Sequence, residues 1–429
     1  MDKLDAVIVG GGLAGLSAAY KLAEAGRQVI LLERGDAPGS KNVTGGRIYV
    51  EPIRGLLPEI IADAPFERHV VKEMLTVMDD NASTQVEYRH DTWCSEPYMS
   101  YTVLRARFDR WFSGKVMEKG AFVIPGRRVD DLLREDGRIA GVVAGGEEIP
   151  ARVVIAADGA LSFMAEKAGL RTPLRPEHYA LAIKEVYSID PAAIEERFGL
   201  RQGEGAANLF MGSVTRGMFG GGFLYTNQDS LSVGLVLGMR SQADARPQVE
   251  SHHLMDAFTA RPEVARWIKG AKREEYSAHI ISEAGIRGMP ALCTDGMLVA
   301  GDAAGFALNM GLTVRGMEFA VASGVLAAEA AHRALEKNDT SKESLGLYER
   351  LLKESFVMKD METFRHAQEV LENPRLFTVY PKFICSLLKE VFTITGSPRE
   401  GLYNTAREVA KRYILNWEGF KDFLTLRKM

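Results

Sequence analysis

The apolar run LDAVIV at positions 4 to 9 reads as a short buried strand, and GGGLAG follows it directly. In LSAAYKLAEAG, Leu16, Ala19, Tyr20, Leu22 and Ala23 recur at helical spacing, and Gly26 ends the helix. QVILLE predicts a second strand finishing at Glu33, which makes a βαβ unit of the usual right hand. Further on, GRIAGVVAGGEEIPARVVIAADG alternates as a hairpin turning at Gly145-Gly146 and then as a strand. Between about 175 and 290 the pieces HYALAIKEVYSI, GGGFLYT and SLSVGLVLG predict an inserted antiparallel sheet. The chain then returns to a strand, GMLVAGD, and a helix of small residues, GMEFAVASGVLAAEAAHRAL. Residues 340–429 read as largely helical, with SPRE (397–400) as the start of a last helix and Pro398 in its first turn. The fold class is therefore α/β: a Rossmann-like dinucleotide-binding domain from 1–175 and 285–340, an inserted sheet at 176–284, and a helical region at 341–429.

Composition changes this picture little. A chain of 429 residues, 46% hydrophobic and 26% charged, fits two connected domains, and a net charge of −4 argues against a nucleic-acid partner. Cys94, Cys293 and Cys385 lie far apart with no CxxC pair, so neither a disulfide framework nor a four-cysteine iron–sulfur cluster within the chain is expected, and no metal is assigned. No basic n-region precedes the first apolar run, and no run reaches the ~18 residues of a membrane span. A cytoplasmic location is expected, with contact to a membrane surface left open. Residues 371–429 hold ten Lys or Arg against six Asp or Glu, and Leu402, Ala406, Val409, Tyr413, Trp417, Phe420 and Leu424 follow at helical spacing. Such a stripe either lies in a membrane interface or packs on the core, and core packing is the expectation.

Gly10, Gly12 and Gly15 form G-x-G-x-x-G between strand and helix, with the acidic Glu33 closing the next strand. The first glycine permits the tight turn, the second admits a pyrophosphate to the helix N-terminus, and the third lets helix and strand pack. Leu13, Ala14 and Arg34 are candidate contacts beside them, and Glu33 can hold a ribose. Two later turns select the dinucleotide: Asp158-Gly159 in AADGALS, and Gly301-Asp302 in VAGDAAGF. An aspartate at the second can bond a ribityl hydroxyl, which FAD has and NAD lacks. Gly311 and Thr313, before a helix expected from about 313, would bring amides to the flavin's pyrimidine edge, and Val129 completes the expected contacts. No second G-x-G-x-x-G is found, so stably docked NAD(P)H is not expected as the electron source.

These segments, with SKNVTGGRIY, VLRARFD, AIKE, GGGFLYT, EYSAH and GLTVRGMEFA, occur in the order seen in the FixC family, which the whole chain resembles. These are flavoprotein dehydrogenases similar to electron-transfer-flavoprotein:quinone oxidoreductase, built on the glutathione-reductase and aromatic-hydroxylase type of fold. The resemblance implies that Gly45 and Gly46 let the backbone pass beside the flavin and that Arg105 faces the FAD phosphates, although a pair with Asp109 one turn away is the simpler role. It implies a quinone slot at Gly220 and Gly221, where a β-bulge is the plain alternative. His279 is a candidate proton donor to quinone, or a core histidine, and Arg315 a candidate for tuning the ring's potential. The implied partners are the alpha and beta subunits of an electron-transfer flavoprotein and a separate ferredoxin-like protein, because the C-terminus lacks the cysteines for a cluster of its own. An isoprenoid (geranylgeranyl-type) reductase and a flavin hydroxylase share the fold and stay open as alternatives, as does a subunit whose FAD is structural.

Overall fold

The computed structural model describes residues 3–41 and 46–428. Its first layer is a parallel sheet in the order Met297–Val299, Glu147–Ala156, Leu4–Val9, Val29–Leu32 and Phe122–Ile124, with Cys293–Thr294 antiparallel at one edge. Ala6, Val7 and Ile8 are fully buried, as expected of a parallel strand covered on both faces. Strand Glu147–Ala156 serves two sheets. Its first residues, 147–150, pair antiparallel with Arg138–Ala144, which pairs with Val129–Glu135; residues from Ala151 onward pair parallel with Leu4–Val9. The predicted turn at Gly145-Gly146 is present, both residues at positive φ.

Helix Leu13–Glu24 and helix Met317–Glu336 pack on this sheet and on each other. Their approach explains the small-residue composition of the second: a Cβ at Gly324 would lie 2.2 Å from the carbonyl oxygen of Ala14. That helix begins at Met317, later than expected, because residues 308–315 form a tight hairpin, Leu308–Asn309 with Val314–Arg315. Thr313 is therefore in the hairpin turn and not at a helix start.

The second sheet is larger than the sequence suggests. Its order is Lys272–Ser282, Tyr179–Ser188, Ser230–Gly238, Gly220–Thr226, Glu204–Gly212, His69–Met78, Ser100–Thr102 and Arg47–Tyr49, with Ser83–Arg89 beside His69–Met78. Four of these strands come from 47–102, a stretch expected in the cofactor domain, and the join is a parallel pair between His69–Met78 and Glu204–Gly212. The insertion is thus mixed and draws on both sides of the chain. Helices Pro191–Phe198, Ser251–Ala260 and Pro262–Ile268 cover one face through Ile194, Phe198, Leu254, Phe258 and Val264.

The C-terminal region is helical, with two departures. The last helices start at Leu402 and Trp417 and not at Pro398, since residues 393–400 are irregular and Ile414 to Asn416 interrupt the stripe. The stripe does not pack on the core: Val409 is buried, whereas Leu402, Trp417, Phe420 and Leu424 are exposed. A polar hub holds these helices instead. Asp422 accepts from Asn373 Nδ2 at 2.7 Å, Arg375 Nε at 2.6 Å and Tyr380 Oη at 2.7 Å, which turns the apolar residues of Trp417–Leu426 outward.

Candidate functional site

The glycine turn is built as the spacing predicts. Gly10 has φ +104° and packs so closely on Ala157 that a Cβ would meet its carbonyl oxygen at 2.3 Å; at Gly15 the same atom would lie 2.0 Å from the Gly10 oxygen. The helix behind the turn opens with Gly12 as its N-cap, without a side-chain cap and without an acid in its first turn. Its first amides are therefore free to face an anion, and the macrodipole favours one there. Leu13 and Ala14, at the helix start, are buried.

Glu33 ties its own loop to that turn: Oε2 accepts the Gly11 amide at 2.7 Å and Oε1 the Gly35 amide at 2.6 Å. Arg34 is exposed beside it, and Arg127 N–H donates to the Glu33 carbonyl, which brings the strand start at Val129 alongside. Gly159 has φ +82°, and Asp158 Oδ2 accepts the Met164 amide at 3.1 Å; burial raises its carboxyl above the usual range.

Arg105 makes the expected pair with Asp109 and stands over the glycine turn. Nε and Nη2 donate to the two carboxylate oxygens of buried Asp109 at 2.8 and 2.7 Å, and the guanidinium so held lies over the glycine turn, Nη2 3.9 Å from where a Gly12 Cβ would be. A bidentate pair fixes the orientation of the fork as well as its charge. Opposite it, Asp302 sits in the short turn Gly301–Ala304, its carboxyl raised by burial and opposed by the fields of Arg105 and His279. Gly301 has φ +66°, and a Cβ there would strike the Ala14 methyl at 2.6 Å.

The second sheet closes this cleft. His279 on Lys272–Ser282 has its basicity lowered by burial and feels the charges of Asp302, Arg34 and Arg105. Lys184, within AIKE but not picked out from the sequence, is 4% exposed; burial lowers its amine to about 8 against the pull of Glu275, with Arg105 near enough to add to the lowering.

Four expected residues are engaged by the protein itself. The glycine at 46 is required by Tyr225 of the second sheet, whose ring a Cβ would meet at 2.2 Å, so the tight approach is protein against protein; Gly45 lies outside the described residues. At Gly220 a Cβ would stand 1.9 Å from the Val236 oxygen, and at Gly221 2.7 Å from that of Phe210. Close cross-strand backbone accounts for both without the β-bulge of the plainer reading, since the strand pairs with Ser230–Gly238 in unbroken register. Arg315 is committed to its neighbours: Nε donates to Glu318 Oε1 at 2.6 Å, Nη1 bonds Asp360, and the guanidinium stacks 4.7 Å over Phe319. It also borders a cavity of about 350 Å³ lined by Tyr49, Pro52, Pro97, Tyr98 and Met99.

The uncapped helix, the Arg105 cradle, Glu33 and the Asp302 turn fit an FAD, with ribose, pyrophosphate and ribityl chain each given a partner of the right chemistry. Fold and site together define an FAD-dependent oxidoreductase, and two families, each described as FAD dependent oxidoreductase, match residues 5–172 and 100–330. Protein FixC of Salmonella typhi is 43% identical over 396 residues, 92% of each chain. A probable electron transfer flavoprotein-quinone oxidoreductase of Escherichia coli K12, YdiS, is 42% identical over 399 residues, 93% of this chain and 92% of that one. The chain belongs to the FixC family of FAD-dependent, electron-transferring oxidoreductases. Among solved structures, a geranylgeranyl bacteriochlorophyll reductase-like protein of Thermoplasma acidophilum shares the fold at TM-score 0.72 and 22% identity, covering 96% of this chain and 98% of its own. The FAD-dependent halogenase CndH, from a myxobacterium, does so at 0.65 and 21%, covering 98% of this chain and 99% of its own.

Proposed function

We propose that this chain takes electrons from a two-subunit electron-transfer flavoprotein and delivers them to a quinone, together with a small ferredoxin-like protein that carries the iron–sulfur cluster. The observation that carries the reading is the 42% identity, along 93% of the chain, to a relative named for that reaction. When bound, FAD supplies the reversible two-electron chemistry. The chain's own residues do the rest. Arg105, clamped by Asp109, and the uncapped helix hold the pyrophosphate; Asp302 orients the ribityl chain; the second sheet excludes water from above.

Two surfaces support the acceptor side. Tyr49, Pro97, Tyr98 and Met99 offer a flat ring apolar walls, with Arg315 among them. The outward stripe of Leu402, Trp417, Phe420, Phe423 and Leu424, on a segment with a surplus of four positive charges, suits the interface of an anionic membrane, where a quinone is dissolved. No helix among the described residues is long and apolar enough to cross a membrane.

The deciding experiment is anaerobic. Reduced electron-transfer flavoprotein is mixed with the FAD-loaded chain, and a soluble quinone analogue is then added. Bleaching of the FAD followed by rapid recovery on adding quinone is the expected result. No bleaching, combined with turnover of a prenyl or aromatic substrate in the presence of NAD(P)H, would replace the reading with a reductase or hydroxylase.

A further inference from the structure

Glu283 stands out among the ionisable groups that the site has not used. It follows the strand Lys272–Ser282 and is 9% exposed, and it reaches the hairpin that precedes helix Met317–Glu336. Its Oε2 accepts from Asn309 Nδ2 at 3.3 Å, and the other end of that amide, Oδ1, accepts the Gly311 N–H at 2.9 Å. Gly311, at φ +87°, turns the hairpin, and its N–H, given to Asn309, holds in place the stretch expected beside the FAD's pyrimidine edge. A buried carboxyl is thus two hydrogen bonds from the hairpin backbone expected beside the edge where a reduced flavin gathers negative charge.

We propose that Glu283 is a positioning residue for bound FAD: through Asn309 it fixes the Gly311 amide, and it takes up one proton from solvent as two electrons pass from the reductant to the FAD. The reductant is oxidised by two electrons and the FAD reduced by the same two; the carboxylate becomes a carboxylic acid, and its O–H is the one bond made on the protein by this uptake. The cause is electrostatic. Negative charge arriving nearby disfavours a second negative charge in a medium of low dielectric, and by reciprocity a proton on Glu283 makes reduction easier.

The local setting suits such a coupling. Burial lifts the carboxyl to about 7, opposed by the Asn309 hydrogen bond. The elements packed around it bear Glu177 and His178 on the preceding turn, His279 on its own strand, Arg287 on the following turn, Arg315 on the hairpin and Asp360 on helix Phe356–Thr363. Arg315 and Asp360 are paired with each other, and the causes that act on the Glu283 carboxyl are burial, which raises it, and the Asn309 amide, which lowers it.

The test is the midpoint potential of the bound FAD between pH 5.5 and 9, poised with dithionite and mediators. It requires bound FAD but neither partner of the proposed reaction, so its failure and the failure of that reading are separable. In the native chain one extra proton is taken up per two electrons around neutral pH, so that each tenfold fall in proton concentration there lowers the potential by about a further 30 mV. In Glu283→Gln that extra dependence disappears; the two proteins agree at the acid end and the variant is the easier to reduce above pH 8. An infrared redox difference spectrum of the native chain gains a protonated-carboxyl band on reduction, shifted in Glu283→Asp and absent in Glu283→Gln. Equal pH slopes in native and variant chains would overturn the proposal. So would a native infrared spectrum without the carboxyl band, a result that needs no variant to fold.

Discussion

A single glycine shows how far one residue's sequence context carries. Two adjacent glycines before Arg47 announce a close approach, but what approaches Gly46 is Tyr225, far along the chain and reached only when the second sheet forms. Gly46→Ala should cost about 1–3 kcal/mol of stability through overpacking. Tyr225→Ala in the same chain should recover part of that loss, a coupling read from denaturant melts of the two single variants and the double. Lys184 is the opposite case, a residue within a recognised motif whose burial nothing in the motif declares. With its amine near 8 when folded and near 10.4 when unfolded, the unfolded chain binds more protons between those values, so stability rises with pH across that window. Below about pH 8 the buried ammonium costs on the order of 3 kcal/mol. FAD-free Lys184→Met should therefore melt several degrees higher than the native chain at pH 7, with the gap closing towards pH 10. The FAD-induced rise in its melting temperature should be smaller, because the cleft has lost a cation.

At the scale of elements, periodicity was informative wherever a segment's partners lie close in sequence. The opening βαβ unit, the glycine hairpin at 145–146 and the helix of small residues all follow from local pattern. It misled where a polar or glycine signal has two uses. GLTVRG resembles a helix entrance and is a hairpin turn, because Asn309 bonds the Gly311 amide and bends the chain back. SPRE has the letters of a capping box, yet the helix starts at Leu402, behind Gly401. Small residues in helix Met317–Glu336 seat it on helix Leu13–Glu24, and both follow turns expected to hold the cofactor. Gly324→Ala should push them apart, lowering stability by about 1–3 kcal/mol and weakening FAD binding several-fold in a flavin-fluorescence titration, although residue 324 is not itself an expected cofactor contact.

For the whole molecule, the architecture was readable but its seams were not. The cofactor layer follows from motifs; the sequence pattern marks the second sheet at 176–284 alone, because pairing across so many residues leaves no periodic trace of the strands of 47–102 that complete it. The last two helices were expected on the core, since an apolar stripe alone does not say which way it faces. Asp422 decides it by fastening the polar side. Replacing Trp417, Phe420 and Phe423 together with Ser should leave the melting temperature within a degree or two while abolishing co-sedimentation with anionic vesicles. An unchanged vesicle pellet would mean that another surface makes the contact. The parallel pair between His69–Met78 and Glu204–Gly212 bears on synthesis as well. A nascent chain that has emerged only as far as its first half presents strand His69–Met78 with one edge bare until residue 212 clears the ribosome, a ready template for misassociation with other chains. Cutting the gene between the two halves would therefore yield two insoluble fragments, whereas their simultaneous synthesis offers each the missing neighbour.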